Sequence, residues 1–223
     1  MERYPSEMSD VNGETVPAAN PGNRRQQQAQ ATRNQICEVA ERLFLESGYV
    51  ATTIDAIARE SGVAVQTIYN SVGNKAAILN RILERVITGS GAEITVSQIM
   101  TARTAAAPDL PAAVQVLADW MVEFNGRAGA VFAVLRQAAA VDPEVNSLDR
   151  MRSKRRRHNY EGAAAGFRAR GGIPGGTSDA ETAASIWAIG HPDVYTALVT
   201  DAGWSTEAYA RWVSGALARL IIP

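Results

Sequence analysis

Cysteine is almost missing from this chain: Cys37 is the single thiol in 223 residues. One thiol excludes an intramolecular disulfide and suits a reducing cytoplasm. It sits beside the apolar stripe of a helix, which points to packing rather than redox sensing. Histidine is nearly as scarce, His158 and His191 alone. No HExxH, CxxC, glycine-rich phosphate loop or nucleophile elbow occurs. No metal ligand, cofactor or catalytic residue is therefore expected, and the chain does not read as an enzyme. No apolar run approaches the ~20 residues that cross a bilayer. No apolar signal-peptide segment opens the sequence. The expectation is a cytoplasmic protein without membrane contact. Strand-type alternation and internal repeats are also lacking, so the chain reads as all-α.

What is present is helical periodicity, with 46% hydrophobic residues to build a core. Ile36, Ala40, Leu43 and Phe44 recur at helical spacing on one face. Ser47-Gly48 stops that helix, because glycine accepts a left-handed cap. Thr52 or Thr53 caps a second helix, with Asp55 in its first turn. Ile54, Ile57 and Ala58 form its inner face. Ser61-Gly62 makes a turn, and Val63 wedges between the helices. A short third helix spans Thr67 to Val72, with Ile68 and Val72 inward. Gln66, Thr67, Tyr69, Asn70 and Ser71 are left on a polar, uncharged outer surface that can bond base edges or phosphates. Asn74 caps a fourth helix, and Lys75 stands at its start.

The stretch TTIDAIARESGVAVQTIYNSVGNK, Thr52 to Lys75, carries a specific resemblance. Gly48-Tyr49, Thr53, Ile57-Ala58, Ser61-Gly62-Val63, Tyr69 and Lys75 fall in the order and spacing of the tetracycline-repressor (TetR) family's DNA-binding head. Two departures stand out. Ala64 occupies a position where the family often places a capping Ser or Thr, and the family's aromatic near Val72 is missing. The resemblance implies a helix-turn-helix that binds double-stranded operator DNA as a homodimer, through Thr53, Gln66, Thr67, Tyr69, Asn70, Ser71 and Lys75. It also implies a helical C-terminal domain that dimerises and holds a small-molecule effector, so that the protein acts as a ligand-released repressor on a near-palindromic operator. A DNA-binding dimer controlled by a protein partner, with no small ligand, is the alternative. A closed cavity would favour the first and a solid core the second.

The net charge of −1 suits such a role once it is resolved along the chain. From Arg24 to Arg85 there are eight cationic and six acidic side chains, so this part is near +2 and the rest near −3. Local field, not total charge, attracts DNA. Residues 1–30 read as a disordered tail, rich in proline, glycine and glutamine. Arg24 and Arg25 make it either a basic arm or a solvated tail without a role. The head is assigned to 31–88 and the C-terminal domain to 89–223, joined by a long helix from Asn74 to about Val96.

Beyond it, Thr101 to Pro108 reads as a loop. A stripe of Leu110, Val114, Leu117, Met121 and Phe124 follows, then a buried helix from Ala128 to Val141. Pro143 starts another helix running to about Arg170, and glycines and Pro174 mark an exposed loop. A helix from Ser178 breaks near His191-Pro192, and Ser205 or Thr206 caps the last. The run Arg150 to Arg157 has three open roles: a solvated basic face, cations that pair with an acidic inducer, or DNA contact. Trp120, Phe124, Phe132, Arg152, Arg155 and Trp187 are the candidate ligand contacts. Ile186, Trp187, Trp212, Ala216 and Leu220 are the candidate dimer seam.

Overall fold

A computed structural model describes residues 21–88 and 96–223, and all regular structure among them is helical. In order these are α1 (Pro21–Ala51), α2 (Ile54–Ser61), α3 (Val65–Ser71), α4 (Lys75–Thr88), α5 (Val96–Ala106), α6 (Leu110–Ala139), α7 (Pro143–Ala169), α8 (Asp179–Ile189), α9 (Pro192–Tyr195), a π-helical segment (Thr196–Asp201) and α10 (Thr206–Ile221).

The first helix departs from expectation at both ends. It begins at Pro21 rather than near Thr32, so residues 21–30 are helical; residues 1–20 of the expected tail lie outside the described residues. Its far end is kinked at Gly48, with φ 81° and ψ 165°. That is not a left-handed cap but an extended conformation of mirror-image hand, open essentially to glycine alone. The kink reverses the chain so that Thr52 Oγ1 donates to the carbonyls of Gly48 and Leu43. Gly62, at φ 68° and ψ 26°, is a true left-handed cap, and its N–H reaches back to the carbonyls of Ala58 and Arg59.

Local capping follows the sequence closely. Thr53 Oγ1 accepts from the Ala56 amide, Asn74 Oδ1 from Ala77 and Ser205 Oγ from Ala208. Ser178 and Glu181 form a reciprocal capping box at α8. The helix break at His191-Pro192 is real: the imidazole Nδ1 caps α9 by accepting from Asp193 N. Burial lowers the His191 pKa, which agrees with an accepting, neutral ring more than with an ion pair to Asp193.

Two expectations in the C-terminal part do not hold. Thr101 to Ala106 lies inside α5 and is not loop. The stripe from Leu110 and the helix from Ala128 are one unbroken 30-residue helix, α6, about 45 Å long. The glycine-rich loop after α7 is only partly exposed. Gly172 and Ile173 are buried, and the Ile173 amide donates to the Ile221 carbonyl, pinning the loop to the end of α10.

Helix α6 organises the packing. Its C-terminal half, from Phe124 to Ala138, shares one apolar cluster with Ile36, Phe44, Ile57, Ile68 and Leu79 of the head. Its N-terminal half joins Tyr160, Phe167, Ile186, Tyr209 and Leu217 in a second. Each fully buried aliphatic or aromatic side chain contributes roughly 1.5–3 kcal/mol. The head is therefore fused to the lower end of the body by packing, whatever boundary is drawn along the chain. Cys37 lies inside the first cluster, where burial raises its pKa and keeps the thiol inert.

Candidate DNA-reading surface and effector cavity

In α3, Ile68 is fully buried while Gln66 and Asn70 are exposed and Tyr69 is half exposed. Thr67 and Ser71 are partly covered. One helix face anchors and the other presents amides and a phenol. Gln66 Nε2 donates to Asn70 Oδ1 at 3.0 Å, which holds the two amides side by side. Ala64 makes no side-chain cap, so the departure noted in the sequence is a real gap at the start of α3.

Thr53, Tyr69 and Lys75 border one shallow groove of about 310 Å3, between the starts of α2 and α4. Lys75 is not a free surface cation there. Its Nζ donates to the carbonyls of Tyr49 (2.8 Å) and Thr52 (3.0 Å) and lies 4.2 Å from the Tyr49 ring centre. Burial lowers its pKa, with Asp142 pulling the other way. Lys75 thus holds the Gly48 kink against α4.

The same kink joins the head to the body. Tyr49 donates to Asp142 Oδ2 at 2.7 Å, and Asn74 donates to Glu144 at 2.9 Å. The Asp142 pKa is lowered, first by the Tyr49 bond and further by the amides of Val145 and Glu144 and by Lys75. A carboxyl with a depressed folded-state pKa contributes stability above its unfolded value of about 3.9 and loses it as pH falls through the folded value. Below about pH 4 the wild type should therefore lose stability with acid more steeply than Asp142→Asn. Acid titration followed by circular dichroism checks this; equal slopes would remove Asp142 as the responsible group.

A cavity of about 770 Å3 lies between α5, α6 and α7. Met100 and Thr104 come from α5, Leu117 and Trp120 from α6, and Arg156, Tyr160 and Phe167 from α7. Of the six residues predicted from sequence, Trp120 alone lines it. Phe124 and Phe132 stand behind Trp120 in an aromatic ladder, with ring centres 5.1 Å and then 5.7 Å apart, inside the core. Trp187 lies outside the lining, edge-on to His191.

Arg155 is exposed, and Arg152 faces a different element. Arg152 is buried at 5% exposure, and its Nη2 bonds the Asn80 side-chain oxygen at 2.5 Å with Glu84 at 3.7 Å. It grips α4 rather than lining the cavity. The inward face of α7 runs Val145, Arg152, Arg156, Tyr160, Ala164, Phe167. Counting back from Phe167 in steps of three and four finds Arg156; counting forward from Leu148 finds Arg155. Sequence reasoning also missed the α5 wall, having assigned much of it to a loop.

On the predicted dimer seam, Ile186 is fully buried within the single chain and cannot be offered to a partner. Trp187, Trp212, Ala216 and Leu220 remain half exposed. Trp212 also stacks on the buried Tyr209, with ring centres 6.2 Å apart.

The described residues therefore form a helix-turn-helix packed on an all-helical body that carries a solvent-open cavity. Residues 36–82 match the model of bacterial regulatory proteins of the tetR family. The regulator TtgR of Pseudomonas putida is 41% identical over 61 residues, 27% of this chain and 29% of TtgR. That likeness spans less than a third of the relative. The crystal structure of NalD, the secondary repressor of the MexAB-OprM multidrug efflux pump in Pseudomonas aeruginosa, superposes with a TM-score of 0.69 at 19% identity, covering 87% of this chain and 98% of NalD. A complex of SmeT with triclosan gives 0.69 at 20% identity, covering 87% and 93%. Residues 36–82 thus carry a DNA-binding head of the tetR type, and the chain as a whole shares the fold of NalD. Among the described residues, no helix is long and apolar enough to cross a membrane.

Proposed function

We propose that the chain is a homodimeric transcriptional regulator, a repressor released from its operator by a small molecule. The observation that carries the reading is the pairing of a polar, outward-facing α3 with a cavity of about 770 Å3 that reaches α4 through α7. The cavity is open to solvent rather than closed, and it supports the small-molecule reading through its size and largely apolar lining. A protein of the same fold that holds triclosan supports it further.

Two copies of α3 must enter successive major grooves about 34–36 Å apart. Thr53, Tyr69 and Lys75 serve the phosphates, which positions the head without reading sequence. Gln66, Asn70 and their neighbours Thr67 and Ser71 serve the groove. A ligand between α5, α6 and α7 displaces α7. Arg152 carries that shift to Asn80 and Glu84 of α4, and the head spacing changes with it. The ligand needs only a higher affinity for the spacing that does not fit DNA.

Selection from random duplexes tests the reading directly. Wild type should enrich a near-palindrome with half-sites about one turn apart. Gln66→Ala and Asn70→Ala should each relax preference at one or two positions per half-site, at a cost of about 1–3 kcal/mol if the lost contact is bidentate. Profiles identical to wild type would assign base reading to other residues, and no enrichment at all would overturn the proposed function.

A further inference from the structure

We infer that the cavity between α5, α6 and α7 takes a flat apolar monoanion, an aromatic or polycyclic carboxylate, whose carboxylate pairs with the guanidinium of Arg156. The inference rests on the cavity being the effector site and deepens that reading to a chemical class.

Arg156 is the unusual group of the lining. Its Nε is buried without a hydrogen-bond partner. It forms no ion pair among the described residues. One face of the guanidinium lies over the Phe132 ring, 4.8 Å from its centre. That contact leaves the N–H edge, the part that grips a carboxylate, unused. The nearest acids, Asp149 and Asp193, act on it only at a distance, and Asp193 is already paired with Arg136. Burial is the largest influence on Arg156 and opposes its charge, so a buried anion placed beside it relieves an existing cost.

The rest of the lining agrees. None of the described lining residues is acidic. The other cation, Arg170, is occupied by the carbonyls of Thr104 and Ala107, and His158 is exposed beside Glu161. Tyr160 sits one turn from Arg156, and burial pushes its hydroxyl up to about 12, so it remains a neutral donor for a second carboxylate oxygen. Trp120, Leu117, Phe167 and Met100 supply apolar surface for the ligand's body. At about 770 Å3 the space exceeds a one-ring acid. A cationic ligand would face Arg156 without a counter-charge.

Three probes with one body and different charge test this without DNA: pyrene-1-butyrate, 1-pyrenebutanol and 1-pyrenebutylamine, followed by tryptophan-to-pyrene energy transfer. The acid should bind roughly 10- to 100-fold tighter than the alcohol, as expected for one charge-assisted bond, and the amine weakest. Arg156→Gln should abolish the acid's advantage and leave the alcohol's Kd unchanged, while Arg156→Lys should keep part of it. Equal binding of acid and alcohol to wild type overturns the inference, as does full acid preference in Arg156→Gln or failure of all three to bind. If Arg156→Gln weakens acid and alcohol alike, Arg156→Lys decides: retained acid preference upholds the pairing and its loss overturns it. Whether any probe releases operator DNA is a separate measurement. Acid preference without release would fail the effector reading while leaving the ligand class intact.

Discussion

Ala216→Asp should give a folded monomer that binds operator DNA roughly 10²- to 10⁴-fold more weakly than wild type, the loss expected when two linked half-site contacts become one. Tyr209, Val213, Leu217 and Ile221 turn inward on α10 and are fully buried. Ala216 lies between those positions and is half exposed, on the stripe of Trp212 and Leu220. In the single chain an Asp at 216 reaches water, so folding is spared. Across a two-fold seam the same substitution appears twice, and both carboxylates are buried against apolar surface without a cation. Trp212→Asp is a poorer test, because the indole also covers Tyr209 and its loss would damage the core. Sedimentation velocity and DNA titration on the same sample check the outcome. An Ala216→Asp protein that stays dimeric places the interface elsewhere.

Replacing Gly48 with Asn should destabilise the protein by about 1–3 kcal/mol. Gly62→Asn should cost about 1 kcal/mol or less. For a chain of this size each kcal/mol lowers Tm by roughly 2–4 °C. Both glycines have positive φ, but they occupy different regions. Gly62 lies in the left-handed helical well, which asparagine enters readily. Gly48, at ψ 165°, lies where side-chain-bearing residues essentially never settle. Crowding is not the cause, since a Cβ at Gly48 would meet only Gln137 Oε1, at 3.6 Å. The backbone strain would fall on the segment that carries Tyr49 to Asp142 and gives Lys75 its two carbonyl acceptors. Operator affinity should drop with stability for Gly48→Asn alone. Equal Tm shifts for the two variants would mean that the kink is not an intrinsic glycine requirement.

The head was legible in the sequence because its determinants are local. Thr53, Ser61-Gly62 and Asn74 act within three or four residues of themselves, as Ser178 and Ser205 do in the body, and each does in the structure what its residue type predicts. The inward set Ile36, Ala40, Phe44, Ile57 and Ile68 is likewise fixed by helical spacing and buried as read. Gly48 was recognised as the stop of the first helix, but not the hand of its turn, since glycine permits several.

What the sequence determined by itself is the set of helices in the head, their caps and the polar face of α3, because capping and burial at three- and four-residue spacing are short-range. Only the tertiary structure decided which cation of the 150–157 run enters the cavity. Adjacent positions on a helix are about 100° apart, so a one-residue error in frame exchanged Arg155 for Arg156. It also decided that Arg152 serves α4, that Ile186 is spent inside the single chain, and that a weakly patterned Thr- and Ala-rich segment is the α5 wall. Each of these depends on what a distant element places opposite the residue, and that information is not carried by near neighbours in the chain.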